Sequence, residues 1–149
     1  STLVVYDVLY DDNSQTNIHG EIVYDQGEKT GWSLAADYFG NNLTGDDKAL
    51  FRPDFKLSLN GYYTIGGKIY LNTQMSYVAP RNAINYDING DNYTTLKGFF
   101  DANLGIDYHY SKVMTVFVNF NNFTASKYSR WYNYPSYGFG AIAGLSYSF

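Results

Sequence analysis

Between residues 139 and 149 every second side chain is apolar (Phe139, Ala141, Ala143, Leu145, Tyr147 and Phe149), while Gly140, Ile142, Gly144, Ser146 and Ser148 between them are mostly small or polar. A period of two marks a β-strand whose faces meet different surroundings. The same period recurs upstream. Residues 17–25 set Ile18, Gly20, Ile22 and Tyr24 against His19, Glu21 and Asp25, and residues 30–39 set Trp32, Leu34, Ala36 and Tyr38 against Ser33 and Asp37. Residues 54–65 alternate Phe55, Leu57, Leu59, Gly61, Tyr63 and Ile65 with Lys56, Ser58, Asn60, Tyr62 and Thr64. Residues 68–78 carry Ile69, Leu71, Thr73, Met75 and Tyr77 on one face. The longest alternation, 96–110, carries Leu96, Gly98, Phe100, Ala102, Leu104, Ile106, Tyr108 and Tyr110, and residues 113–123 carry Met114, Val116, Val118 and Phe120. With a less regular segment at 3–10 and the closing strand at 137–149, eight strands are predicted.

Their connections alternate between short and long. Tight turns are expected at 26–29, 66–67 and 111–112, and longer loops at 11–16, 41–52, 79–95 and 124–136. Short turns on one side and long loops on the other are a property of outer-membrane barrels. The apolar face of the last seven strands carries no charge, whereas Glu21, Asp25, Asp37, Asp54, Lys56, Lys68, Lys97, Asp101 and Asp107 fall on the opposite face. A Lys or Arg turned to lipid near the midplane costs about 2–4 kcal/mol, which gives this segregation its reason. Aromatics also gather at the strand ends: Tyr24, Trp32, Tyr63, Tyr108 and Tyr147 at the short-turn end, Tyr38, Phe55, Tyr77, Phe120 and Phe139 at the loop end, with aliphatics between. The pattern predicts an all-β, transmembrane, antiparallel up-and-down β-barrel, with 1–149 a single barrel region that holds no plug domain. The competing fold is a soluble β-sandwich or lipocalin-like barrel, whose core has no reason to sort aromatics to its ends.

Composition sharpens this picture in three ways. Of 149 residues 19% are aromatic, led by 17 Tyr and 10 Phe, and 16% are charged. A mean hydropathy of −0.33 would by itself suggest a water-soluble chain. No run approaches the roughly 20 apolar residues of a membrane helix, but alternation hides an apolar face from any average. The net charge of −4 and pI of about 4.9 argue against a nucleic-acid partner. Zero cysteines remove disulfide, thiol-catalysis and zinc-thiolate chemistry. No signal peptide is present, so the expectation is a mature form or a piece of a longer chain.

Candidate chemistry is sparse. Asp87, Asn89 and Asp91 place oxygen ligands as in the opening of a calcium loop, but the sixth position is Asn92 rather than Gly and the twelfth is Gly98 rather than Glu. Calcium is the one cofactor considered, and no catalytic residue is assigned. Asp107 and His109 share a polar face without a nucleophile motif beside them. Trp131, Tyr132, Tyr134 and Tyr137 form an aromatic loop able to stack on a ligand or to pack near lipid headgroups.

The end of the chain resembles a known family. Asn119-Phe120-Asn121-Asn122-Phe123-Thr124, then Lys127-Tyr128, Trp131 to Pro135, Gly138 and the terminal Gly144-Leu145-Ser146-Tyr147-Ser148-Phe149 are similar to the C-terminal end of TonB-dependent receptors, above all those of the Bacteroidetes. The resemblance implies residence in a Gram-negative outer membrane, in a barrel of roughly 22 strands closed by a plug and importing chelated metals, vitamins or glycans. It also implies that Phe139, Gly144, Leu145, Tyr147 and Phe149 form the signal read by the barrel-assembly machinery. The plug, the TonB-contacting segment and about fourteen further strands are absent from these residues. The chain is accordingly read as the C-terminal strands of such a receptor, partnered by lipid, the remaining strands and the plug. The alternative is a self-contained eight-stranded barrel with a structural or adhesive role.

Overall fold

The computed structural model describes residues 13–43, 48–87 and 90–149, so the strand expected at 3–10 lies outside it. In chain order the elements are β1 (Asn13–Asp25), β2 (Thr30–Leu43), β3 (Phe55–Ile65), β4 (Ile69–Val78), β5 (Arg81–Asp87), β6 (Gly90–Leu96), β7 (Phe99–His109), β8 (Met114–Asn121), β9 (Ser129–Trp131), β10 (Tyr134–Pro135) and β11 (Gly140–Tyr147). Seven of them form one sheet in the order β1-β2-β3-β4-β7-β8-β11. Every pairing is antiparallel between successive wall strands. Among the described residues β1 and β11 are edges and do not pair, so this sheet is open.

Register decides which side chains share a face, because a slip of one residue would exchange the two faces of a strand. The pairs Ile22↔Leu34, Leu34↔Leu59, Leu59↔Met75, Leu71↔Ile106, Ile106↔Val118 and Val118↔Ala143 join the predicted apolar sets into one face across all seven strands. Tyr24↔Trp32 lies at one end of that face and Tyr38↔Phe55 and Tyr77↔Phe100 at the other, so the two aromatic bands run across neighbouring strands.

No second layer of described residues covers this face. Among the described residues the buried apolar side chains are Ala83, Ala102 and Tyr128, and no large side chain is fully buried. Ile18, Ile22, Leu34 and Leu145 are all exposed. A soluble sandwich would cover these positions with a second sheet about 10 Å away. An uncovered apolar surface of this breadth is stable only against an apolar surrounding.

The tight turns fall where expected, with Gly27, Gly66 and Gly67 at φ of 58°, 58° and 65°, a region open to glycine at no steric cost. All four long connections depart from the expectation of irregular loops: β1 begins at Asn13, within 11–16, β2 runs on to Leu43, into 41–52, and the other two contain hairpins. Residues 79–95 contain the β5–β6 hairpin, paired from Arg81↔Leu96 to Asp87↔Gly90. Leu96 therefore ends β6, and the strand expected from 96 begins at Phe99. The physical reason is that Leu96 is taken up as the hairpin partner of Arg81 and cannot also open the wall strand. Residues 124–136 contain the short β9–β10 hairpin, with Asn133 in the left-handed region at φ 63°.

Candidate functional site

The chemistry collects on the polar face at the long-loop end of the wall. Alternation places Lys56 and Ser58 of β3, Ser76 and Val78 of β4, and Phe99 and Asp101 of β7 on that face. Register sets them in two rows, Lys56↔Val78↔Phe99 and Ser58↔Ser76↔Asp101. Three connections arch over these rows and deliver Phe51, Arg81, Arg130 and Trp131. Floor and roof enclose a cleft of about 360 Å³.

Arg81 is the post of this roof, with 5% of its surface exposed. Its Nε and Nη2 donate to the Arg130 carbonyl at 3.4 and 3.1 Å, and Nη2 also donates to the Ser129 carbonyl. Its guanidinium carbon lies 5.2 Å from the centre of the Phe99 ring, within cation–π range. Phe99 stacks on Tyr128 at 3.9 Å and 3°, and the Tyr128 hydroxyl donates to Asp101 Oδ2 at 3.1 Å. Burial, and then the charge of Arg130, hold the Arg81 pKa below the usual guanidinium value. Arg81 Nη1 and Asp101 Oδ1 are buried without a hydrogen-bond partner.

Asn122 anchors the loop that carries the roof. It is 5% exposed and left-handed at φ 47°, a conformation Asn tolerates. Its Nδ2 donates to the carbonyls of Ser126 (2.9 Å) and Tyr137 (3.2 Å), and its Oδ1 accepts from the Ser126 amide (3.1 Å) and the Thr124 hydroxyl (3.2 Å). Its own backbone amide donates to Asn103 Oδ1 at 3.0 Å. The amide side chain is thus fully used in closing residues 122–137 onto the wall. Phe51 is a bulky residue at φ 57°, held there by its amide on the Asn82 carbonyl (2.7 Å) and its ring 5.1 Å from Trp131.

The predicted site residues are distributed as follows. Trp131 lies in β9 and Tyr134 in β10, both exposed, Tyr137 is almost fully exposed, and Tyr132 is partly covered. Trp131 alone of these lines the cleft. The calcium expectation falls partly outside the described residues: Asn89 is not among them, while the backbones of Asp87 and Asp91 belong to β5 and β6. Among the described residues no three His, Cys, Asp or Glu side chains converge. His109 packs its ring 4.4 Å from that of Tyr70, and His19 Nδ1 meets Asp37 Oδ1 at 2.7 Å across β1 and β2. In the closing strand Leu145 and Tyr147 share the apolar face with Val116 and Met114, and the Tyr147 and Phe149 rings meet edge to face at 5.5 Å. Phe139 stacks near Phe120 at 6.2 Å, and Gly144 lies beneath the Phe117 ring on the polar face. Arg81 and Phe99 escaped sequence reasoning because no local pattern distinguishes them. Asn122 and Tyr128 stood inside the quoted C-terminal motif, and the structure gives both a task in loop closure.

No family model matches this chain, and no curated protein matches it. Solved structures do. The chain is similar to FpvAI in its complex with pyocin S2, at TM-score 0.83 and 12% identity over 93% of this chain and 20% of that one. It is similar to the ferripyoverdine receptor of the outer membrane of Pseudomonas aeruginosa at TM-score 0.82 and 12% identity, over 93% and 20%. It is also similar to the ferric-catecholate import receptor Fiu of E. coli K12 at TM-score 0.79 and 12% identity, over 94% and 22%. The chain thus spans about a fifth of the length of these structures. Its fold is that of a stretch of wall from an outer-membrane receptor β-barrel.

Proposed function

We propose that this chain forms the C-terminal barrel wall of a TonB-dependent receptor-like transporter that takes up nutrients across the outer membrane. The observation that carries the reading is the apolar face, continuous over seven strands of an open sheet and uncovered by any other layer. Such a wall needs lipid on that face, further strands on the β1 and β11 edges, and a plug against its polar face. The neighbours support it, since one is a ferripyoverdine receptor and another a ferric-catecholate import receptor. The exposed Trp131, Tyr134 and Tyr137 would present rings to an incoming solute at the long-loop end.

The reading frame upstream of Ser1 tests this proposal. It is expected to encode a plug and about fourteen further strands. A native polypeptide close to the 16.9 kDa of these residues would overturn it in favour of a small self-contained barrel. Within the same proposal, the closing strand with Phe139, Gly144, Leu145, Tyr147 and Phe149 is the part that the assembly machinery grips. Deleting Phe149 is expected to lower the amount of receptor inserted into the outer membrane while leaving the solute affinity of the inserted fraction unchanged; normal insertion would remove this role.

A further inference from the structure

We infer that the cleft beneath the β9–β10 hairpin is an anion site that holds the carboxylate or phosphate group of a small organic solute. The inference rests on the receptor reading for the solute's arrival at the long-loop end, and on the cleft itself for its chemistry. Among the described residues three cations, Lys56, Arg81 and Arg130, line the cleft and no carboxylate does. Among the described residues the single ion pair is His19–Asp37, so none of the three has an acidic partner. This is a local excess of positive charge in a chain whose net charge is −4. By register Asp37 stands directly across from Lys56 but is engaged by His19, and Asp101 lies one row deeper, engaged by the Tyr128 hydroxyl.

The arrangement is costly without a ligand. Arg81 spends Nε and Nη2 on two backbone carbonyls, which fixes the plane of its guanidinium and leaves Nη1 buried with no acceptor. A buried cation beside a second arginine is unfavourable, and an oxyanion in the cleft offsets that like-charge repulsion. Lys56 supplies a mobile ammonium from the floor, now resting 5.2 Å from the Phe39 ring, and Arg130 an exposed guanidinium from the roof. The paired rings of Phe51 and Trp131 form an aromatic wall for the organic remainder. At about 360 Å³ the cleft falls within the usual range of small-ligand pockets.

The test uses the full-length receptor in detergent, titrated calorimetrically with citrate and, separately, with its uncharged trimethyl ester. Citrate is expected to bind and the ester not. Lys56→Gln and Arg130→Gln, both at exposed side chains and with unchanged thermal unfolding, are each expected to weaken citrate about tenfold or more, the loss of one charge-assisted contact. Equal binding of the ester, or citrate affinity indifferent to both substitutions, would overturn the site. Binding is read without transport, so a receptor that binds citrate through these residues but lacks a plug would defeat the transport reading and leave the anion site standing.

Discussion

The two ends of the wall are built from the same strands but held by different means. At the short-turn end, Tyr62 of β3 lies across Gly31 of β2 and its hydroxyl donates to Asp25 Oδ1 (2.9 Å) and to the Gly27 carbonyl (2.5 Å). Trp32 covers Gly61 and donates to the Thr30 hydroxyl, which itself donates to the Tyr62 carbonyl of β3, and the Thr64 hydroxyl donates to the Glu28 carbonyl of the turn. All these partners come from three successive strands. At the long-loop end the ties run through the connections rather than between neighbouring strands: Arg81 reaches Ser129 and Arg130, Tyr128 reaches Asp101 of β7, and Asn122 holds Ser126 and Tyr137 of its own loop. One end follows from hairpin geometry, whereas the other depends on a few buried polar groups. Loops fastened in that way can change in sequence or loosen without disturbing the apolar-faced wall beneath them.

The largest expected effect concerns the wall that both ends share. Leu59→Arg places a guanidinium in the middle of the apolar face and is expected to cost about 2–4 kcal/mol, whereas Asn60→Arg, one residue on and on the opposite face, is expected to be tolerated. The folded fraction in lipid vesicles, read by heat-modifiable gel mobility, separates the two. Equal losses would break the assignment of faces and, with it, the meaning of the two ends.

Next in size, Asn122→Ala removes four side-chain hydrogen bonds from the loop anchor and leaves the Ser126 amide without its acceptor. A loss of about 1–3 kcal/mol is expected, confined to the long-loop end. Limited proteolysis should cut faster between residues 122 and 139, while amide exchange at the 26–29 turn stays as it was. Loosening at both ends together would show that they are not independent.

The same contrast explains what could be read from the chain in advance. The wall was legible because each strand repeats one decision, apolar on one face and polar on the other, so seven alternations and their glycine turns agree with each other. The β5–β6 hairpin lay in a stretch read as a loop, whose acids fit the opening of a calcium loop. The cleft was not legible. Arg81, Phe99 and Tyr128 meet because three connections fold over one end of the sheet, and no local periodicity encodes a contact across 27 to 49 residues. The Asn-rich box and Lys127-Tyr128 were visible as a resemblance; that Asn122 and Tyr128 pin the loop emerged from their bonds.

A comparable effect is expected from Gly61→Ala. A Cβ there would meet the Trp32 ring and force it aside, at about 1–3 kcal/mol, while Gly20→Ala on the same face has nothing within 4 Å to meet and should be near neutral. Urea unfolding in detergent compares the two. If both glycines tolerate alanine equally, the ring-over-glycine contact does not hold the short-turn end together.

The smallest effect sharpens the comparison most directly, because one substitution can be made at both ends. Tyr62→Phe and Tyr128→Phe each delete a hydroxyl that donates to a carboxylate, Asp25 at one end and Asp101 at the other. Asp25 Oδ1 keeps the Gly27 amide at 2.8 Å and lies in an exposed turn where water replaces the lost bond. Exchange of the turn amides is therefore expected to quicken by about two- to tenfold and no more. Asp101 is already short of one partner, since its Oδ1 is buried and unbonded, so loss of the Tyr128 hydroxyl leaves a half-buried carboxylate without a protein donor. Its loop should open further than the turn does, because an unmet hydrogen bond costs most where water cannot supply a substitute. Equal responses at the two ends would mean that the loop end is as well hydrated as the turn, and that its few buried polar contacts do not set it apart.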